Sequence, residues 1–230
     1  MLDLLWLIPT IPLVGFLTLV LIGSRLTHTE VAYVGCGSIG FAAIVTLIVG
    51  VSFINAPPPN HAFTQTLWLW VNVGGFKPAV AFYLDALSLV MIFVVTFVGF
   101  LIHLYSAEYM EEEEGYTRFF AYMNLFVAAM LTLILADNLM LLLLGWEGVG
   151  LCSYLLIGFF YRESANGAAA QKAFIVTRVG DTALLPESRA GLEALCDDLT
   201  VREIEGTDHW VIHQKPDEVA AEIVAFLERD

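Results

Sequence analysis

Residues 139–161 read LMLLLLGWEGVGLCSYLLIGFFY, an apolar run of 23 residues in which Glu147 is the one charged side chain. A helix needs about 20 predominantly apolar residues to cross the hydrocarbon core of a bilayer. The run is therefore predicted to form a transmembrane helix that carries a carboxyl group near its middle.

Five further apolar stretches of similar length lie before and after this run. The 230-residue chain is 58% hydrophobic and 15% charged, with a mean hydropathy of +0.76, whereas a soluble domain is about 45–50% apolar and about 25% charged. This composition excludes a soluble globule for most of the chain. The first stretch lacks a basic amino-terminal region and a small-residue cleavage site, so we expect a membrane span and not a signal peptide. The sequence predicts an all-α polytopic membrane protein with about six transmembrane helices, at residues 2–22, 31–54, 84–105, 118–136, 139–161 and 165–185.

The segment between the second and third predicted helices, residues 55–80, has a different pattern. Three prolines at 57–59 and two glycines at 74 and 75 flank an alternating run that contains Trp68 and Trp70. We expect an extended or hairpin-like interfacial loop, with its tryptophans at the level of the lipid headgroups.

Basic residues in the short loops predict the orientation of the chain. With the amino terminus outside, Arg25, Arg118 and Arg162 lie in cytoplasmic loops and Lys77 lies outside. Since Lys and Arg are enriched in cytoplasmic loops, this orientation is favoured. The glutamates at 108 and 111–114 are expected to form a solvated face of one of these loops.

The net charge of −14 is unevenly distributed along the chain. Residues 1–185 carry six basic and twelve acidic side chains, whereas residues 186–230 carry four and twelve. The tail alternates like a strand at 199–204, and an amphipathic helical pattern begins at Pro216. We therefore predict a transmembrane region at 1–185 and a short acidic α/β tail of one strand and one helix at 186–230. No basic patch indicates a nucleic-acid partner, and the spacing of the three cysteines predicts no metal site.

Glu147 is the strongest candidate for a functional residue, because an ionisable side chain inside a membrane span is energetically costly. No opposite charge lies within one helical turn of it in the sequence, and small residues at 145, 148 and 150 indicate a closely packed helix face. Two interpretations follow: a carboxylate that transfers protons, or a neutral glutamic acid that is hydrogen-bonded between helices.

The sixth predicted helix carries Lys172, Arg178 and Asp181. Arg178 and Asp181 are three residues apart and can pair on one helix face, which lowers the cost of burying both. Such a pair can be structural or functional. Lys172 lies on a different face, where it either approaches Glu147 or extends to the membrane interface.

Three other ionisable residues lie in or beside the predicted spans. Asp85 and Asp137 are at span ends, where water reaches them easily, so a structural role is favoured for both. His103 lies within the third predicted span and is interpreted either as a proton relay or as a structural residue.

Several motifs are shared by residues 1–185 and a known family. They are YLDALS at 83–88, HLYSAEYM at 103–110, ADNLM at 136–140, GWEGVGLCSYLLIGF at 145–159 and KAFIVTRVGD at 172–181. Together they resemble the L subunit of bacterial NADH-quinone oxidoreductase, respiratory complex I.

This resemblance implies a function for the membrane charges. Glu147 would be the family's essential membrane carboxylate, which alternates between pairing with a lysine on a later helix and holding a proton. Lys172, Arg178 and Asp181 would belong to the charged network around it. The partner lysine and the second inverted repeat of the family would lie beyond residue 185, so transport by this polypeptide alone is not expected.

The resemblance also implies the setting in which the chain works. Its partners would be the lipid bilayer and the other membrane subunits of complex I, in the inner membrane of a bacterium. The chain itself would hold no cofactor, because NADH, flavin and iron–sulfur clusters would bind other subunits, and quinone would act at the level of the complex.

The tail contains a second set of motifs, VREIEGTDHWV at 201–211, KPDEV at 215–219 and IVAFL at 223–227. They resemble the carboxyl end of an α/β-hydrolase of the epoxide hydrolase type, which implies that His209 corresponds to the catalytic general base. No G-x-S-x-G nucleophile motif accompanies it in the chain. His209 is therefore expected to be a vestigial base without a nucleophile.

Three hypotheses follow from the sequence. The favoured one is a truncated membrane-arm subunit of the proton-translocating enzyme. Its family sequence would end near residue 185, where it would be fused to the end of an unrelated hydrolase. The second is a membrane-anchored hydrolase that uses His209. The third is a structural or regulatory membrane fragment that occupies a helix-packing surface. A non-functional chimeric product is a further alternative.

Overall fold

The computed structural model describes residues 1–70 and 77–184 of the chain. This part is almost entirely helical and contains one two-stranded sheet. The elements in chain order are α1 (Leu7–Ile22), α2 (His28–Asn55), β1 (Phe63–Leu69), β2 (Ala79–Leu84), α3 (Ala86–Tyr109), α4 (Tyr116–Ile134), α5 (Leu139–Ile157) and α6 (Ser164–Leu184).

Five helices of the described residues are long and apolar enough to cross a membrane. They are α2, α3, α4, α5 and a first span, Leu2–Arg25, in which short 3₁₀ turns extend α1 at both ends. The predicted all-α polytopic fold is thereby confirmed. The sixth predicted helix forms as α6 but is not among the five, because its charged and amide side chains lower its hydropathy.

Capping residues set the beginnings of several helices. Thr27 accepts a hydrogen bond from the backbone of Glu30 and its own N–H is bound by the Glu30 carboxylate, so a capping box starts α2. Asn138 accepts a hydrogen bond from Leu141 at the start of α5. Gly115 precedes α4 with φ +91°, a conformation that favours glycine.

The strands form the hairpin that the alternating run predicts. β1 and β2 pair antiparallel from Phe63 opposite Leu84 to Leu69 opposite Ala79, and the tip at 71–76 lies outside the described residues. β2 continues to Leu84, so the third helix begins at Ala86 instead of at the predicted residue 84. The predicted hairpin is confirmed in its strands.

The hairpin is attached to one end of the helix bundle, called here the hairpin end. The Gln65 side chain donates to the carbonyl of Asp3 at 2.7 Å and accepts from the N–H of Trp6 at 3.0 Å. The N–H of Tyr83 donates to the carbonyl of Leu135, which lies just after α4, at 2.7 Å. The opposite end, called the loop end, contains the turns after α1, α3 and α5, and it includes Arg25, Arg118 and Arg162.

Helix α4 lies at the centre of residues 1–170 and packs against α1, α2, α3 and α5. Its Phe120 and Leu131 are fully buried, and Asn124, also fully buried, accepts a hydrogen bond from Ser38 of α2. Many apolar side chains on the outer faces of α1, α2 and α3 are exposed, as expected for surfaces that face lipid.

Asp85 caps α3, and its pH response is testable. Hydrogen bonds from the Ser88 backbone and hydroxyl hold the pKa of Asp85 below its usual range. Because the pKa of Asp85 is lower in the folded state, its cap stabilises the fold fully at pH values above the pKa of the unfolded state, about 3.9. This stabilisation is lost as the pH falls through the pKa of the folded state. We expect Asp85→Ala to lower the free energy of unfolding by about 1 kcal/mol at pH 7.

The measurement is unfolding by detergent titration at pH 7 and pH 3. The difference between wild type and Asp85→Ala should shrink at the lower pH. Asp85→Asn is the matched control, because asparagine also caps helices and does not titrate. A difference between wild type and Asp85→Ala that is the same at both pH values would contradict the assignment.

The tail predictions lie outside the described residues. They comprise the strand at 199–204, the helix from Pro216 and the position of His209. The division at residue 185 likewise stays a prediction.

Candidate functional site

Glu147 is the ninth of the nineteen residues of α5. At 1.5 Å per residue its Cα lies about 12 Å from the start of the helix and about 15 Å from its end. Because α5 is one of the five candidate spans, Glu147 lies close to the middle of a candidate membrane helix. The side chain is half-buried within the described chain.

The close packing of α5 on α4 holds this position. A Cβ atom placed on Gly145 would lie 2.6 Å from the backbone nitrogen of Leu133, and one placed on Gly148 would lie 2.9 Å from the Cβ of Ala129. Two of the three glycines of the predicted face, Gly145 and Gly148, therefore pack against α4. Glu147 is turned away from this contact face, at about 100° from Gly148 and about 160° from Gly145 around the helix axis.

At its start, α5 is tied to the hairpin. The Asn138 amide donates to the carbonyl of Ala79 at 2.7 Å while its oxygen caps the helix. The N–H of the exposed Asp137 donates to the carbonyl of Ala81 at 3.1 Å. These bonds connect β2 to α5, so the hairpin sets the height of α5 and with it the depth of Glu147.

Arg178 and Asp181 pair within α6. Arg178 Nη1 lies 3.6 Å from Asp181 Oδ2, and both side chains are mostly buried. The Arg178 guanidinium also lies 4.9 Å from the centre of the Phe174 ring. The geometry agrees with the predicted pairing at i, i+3, whereas a role in proton transfer stays a prediction.

Lys172 is exposed on α6. The described residues divide into two units after residue 170, with Glu147 in the first and Lys172, Arg178 and Asp181 in the second. The approach of Lys172 to Glu147 stays a prediction.

His103 is fully buried in α3. Its Nδ1 lies 2.7 Å from the carbonyl of Gly99, so Nδ1 carries a proton and donates it to that oxygen. No hydrogen-bond partner of its Nε2 lies among the described residues. Both predicted roles of His103, relay and structural residue, remain open on this geometry.

The pair of Ser38 and Asn124 is a buried polar contact that the sequence reasoning missed. Asn124 also donates to the carbonyl of Phe120 at 3.0 Å within α4. The available signal was an amide in the middle of an apolar span, because such side chains usually bond across helices. In residues 1–70 and 77–184, His, Cys, Asp and Glu form no group of three that could hold a metal ion.

Two family models match the chain. Residues 70–120 match the model described as the amino terminus of chain 5 of NADH-ubiquinone oxidoreductase, complex I. Residues 136–207 match the transmembrane model of NADH:quinone oxidoreductase and Mrp antiporters. The second match includes Glu147, Lys172, Arg178 and Asp181, and it continues past the predicted division at residue 185.

Curated relatives give the same assignment. Subunit L of NADH-quinone oxidoreductase from Escherichia coli is 56% identical over 174 residues, which are 76% of this chain and 28% of the relative. The amino-terminal region matches subunit L of complex I. The Mycobacterium tuberculosis subunit L is 40% identical over 179 residues, 78% of this chain and 28% of its own length. The chain thus spans little more than a quarter of these relatives.

A solved structure shares the fold. An archaeal respiratory membrane complex, the membrane-bound sulfane sulfur reductase, contains a chain that aligns with a TM-score of 0.61 and 21% identity. The alignment covers 78% of this chain and 26% of that one. The helices of this chain are therefore arranged as in the aligned part of that chain.

Proposed function

We propose that this chain acts in the membrane arm of a proton-translocating NADH-quinone oxidoreductase, with Glu147 as the carboxyl group that takes up and releases protons. The observation that supports this most strongly is the place of Glu147 at the middle of α5, inside the region that matches the family models and subunit L.

The chemistry of the proposal follows from the surroundings of such a group. Apolar surroundings favour the neutral carboxyl form, and a cation close by favours the carboxylate. A carboxyl group whose cationic partner moves therefore alternates between holding and releasing a proton. In the proposal, Lys172, Arg178 and Asp181 supply part of the charged network that sets this balance.

The proposal assigns the other parts of the reaction to other chains. NADH, flavin and iron–sulfur clusters would bind other subunits, and quinone would be reduced at the level of the complex. The partners of this chain would be neighbouring membrane subunits and the lipid bilayer, in the inner membrane of a bacterium.

A segment exchange tests the proposal. The matching region of the Escherichia coli subunit L is replaced by residues 1–184 of this chain, and inverted membrane vesicles are supplied with NADH. We expect NADH oxidation to acidify the vesicle interior, as followed by quenching of a dye sensitive to the pH gradient. An assembled complex that oxidises NADH without acidification would contradict the function.

The hydrolase resemblance of the tail is a separate proposal. Its motifs lie at 201–211 and 215–227, whereas the family match ends at residue 207. We expect no hydrolase activity that depends on His209, because the sequence contains no G-x-S-x-G motif that would supply a nucleophile for it. Turnover of an epoxide or ester by the purified chain that is lost in His209→Ala would contradict this expectation.

A further inference from the structure

A cavity of about 500 Å³ lies at the loop end of the bundle, between the start of α4 and the turn from α5 to α6. Helix ends of a membrane protein lie at the level of the lipid headgroups. The cavity is therefore at the depth where a headgroup can enter it. Its lining combines two guanidinium groups, three carboxylates and aromatic rings, contributed by Arg118, Arg162, Glu113, Glu114, Glu163, Phe159, Phe160 and Tyr161.

Arg118 is the fixed cation of this cavity. Its guanidinium carbon lies 5.0 Å from the ring centres of both Phe159 and Tyr161, and its Nη2 donates to the carbonyl of Phe159 at 3.4 Å. Among the described residues, its Nε and Nη1 have no acceptor. A half-buried guanidinium held by two rings thus retains donors for an anionic ligand.

The other charges of the lining decide which ligand fits. Arg162 pairs with Glu114 at 2.7 Å, and Glu163 Oε2 accepts a hydrogen bond from the Asn166 amide at 3.4 Å. Arg118, Glu113 and Glu163 are thus the lining charges outside this ion pair. One cation beside two carboxylates complements a ligand that carries both a phosphate and an ammonium group. Ethanolamine has three N–H donors for carboxylates, whereas choline has none, and phosphatidylglycerol has no cation.

A second cavity extends this site toward the membrane interior. It measures about 210 Å³ and shares Arg118, Phe159 and Tyr161 with the first. Its other residues include Tyr122 of α4 and Leu155 of α5, which lie about one turn further into these spans than Arg118 and Phe159. The continuation is thus suited to the glycerol and upper acyl part of a lipid.

We propose that these two cavities bind phosphatidylethanolamine. Arg118 binds the phosphate, Glu113 and Glu163 bind the ammonium group, and the acyl chains leave along Tyr122 and Leu155. This site is independent of proton transfer at Glu147, so the two proposals stand or fall separately.

Native mass spectrometry of the delipidated 230-residue chain tests the site, with dioleoyl forms of phosphatidylethanolamine, phosphatidylcholine and phosphatidylglycerol as probes. We expect phosphatidylethanolamine to bind about tenfold more tightly than phosphatidylcholine, because its ammonium group has N–H donors for charge-assisted hydrogen bonds to carboxylates and the choline group has none. The double variant E113Q/E163Q should remove this preference, because phosphatidylethanolamine binding should weaken more than phosphatidylcholine binding, which loses only the attraction between charges.

Matched variants separate the proposal from general effects of charge. Glu112→Gln removes an exposed carboxylate of the same loop that does not line the cavity, and it should preserve the preference. Arg118→Gln should weaken the binding of both lipids, because it removes the contact with their phosphate. Arg118→Lys should retain part of this binding, which distinguishes a lost phosphate contact from misfolding.

Several outcomes would overturn the proposal. These are equal binding of the ethanolamine and choline lipids, a preference for phosphatidylglycerol, or a loss of preference in Glu112→Gln as large as in the double variant. Competition by soluble phosphoethanolamine at the same concentration as the lipid would identify a free headgroup as the ligand and also overturn it.

Discussion

Glu147→Gln is expected to reduce proton translocation at least about tenfold in the exchanged complex, in keeping with the contribution of a positioned acid or base to proton transfer. Glutamine has nearly the same size as glutamic acid and can keep a hydrogen bond, but it cannot take up or release a proton. The loss should therefore appear in transport and not in folding, because α5 still packs on α4 through Gly145 and Gly148.

The measurement is the rate of vesicle acidification per NADH oxidised, together with the amount of assembled complex. Asp137→Asn is the matched control, since Asp137 is an exposed carboxylate two residues before the same helix begins. Pumping by Glu147→Gln at the wild-type rate would contradict a protonation role. A variant that fails to assemble would instead assign Glu147 to structure, the alternative interpretation of its position.

Gly145→Val is expected to separate α5 from α4. The added Cβ would lie 2.6 Å and 2.7 Å from the backbone nitrogen and Cα of Leu133, and backbone atoms cannot move aside by a change of rotamer. Overpacking of this kind costs about 1–3 kcal/mol and occasionally more. We expect Gly145→Ala at the low end of this range and Gly145→Val beyond it, as measured by detergent unfolding of the purified chain.

Gly37→Ala is the control for this prediction. Nothing lies within 4 Å of a Cβ built on Gly37, so the substitution adds no clash and gains about 1 kcal/mol of helix propensity. It should leave the chain as stable as wild type or more stable. Equal stability of Gly145→Ala and Gly37→Ala would show that the α4–α5 contact is looser than the structure has it.

The comparison of predicted and observed helices shows what apolar length can locate. Five predicted spans match candidate membrane helices, because about 20 apolar residues form a helix in lipid whatever their neighbours are. Their ends are set by caps and strand pairing. The third helix begins at Ala86 because β2 pairs through Leu84 and Asp85 caps the helix. Neither effect can be predicted from apolar composition.

The residues of the candidate site also differ in whether the sequence alone could identify them. Glu147 and the pair of Arg178 and Asp181 could be selected from the sequence, because a charge in an apolar span is conspicuous and i, i+3 spacing is a local property. The pairing of Ser38 with Asn124 and the placement of Arg118 between two rings could not, since each joins residues more than 40 positions apart.

By itself, therefore, the sequence determined that the chain spans a membrane several times and that Glu147 lies at the middle of one span. In α5 the glycines already indicated a packed face, but only tertiary structure decided which helix that face contacts. For the spans without such small residues, tertiary structure also decided which face is buried, because a helix that is apolar all round has no polar face to indicate the opposite side. Close contacts at Gly145 and Gly148 orient α5, and that packing decides which way Glu147 points.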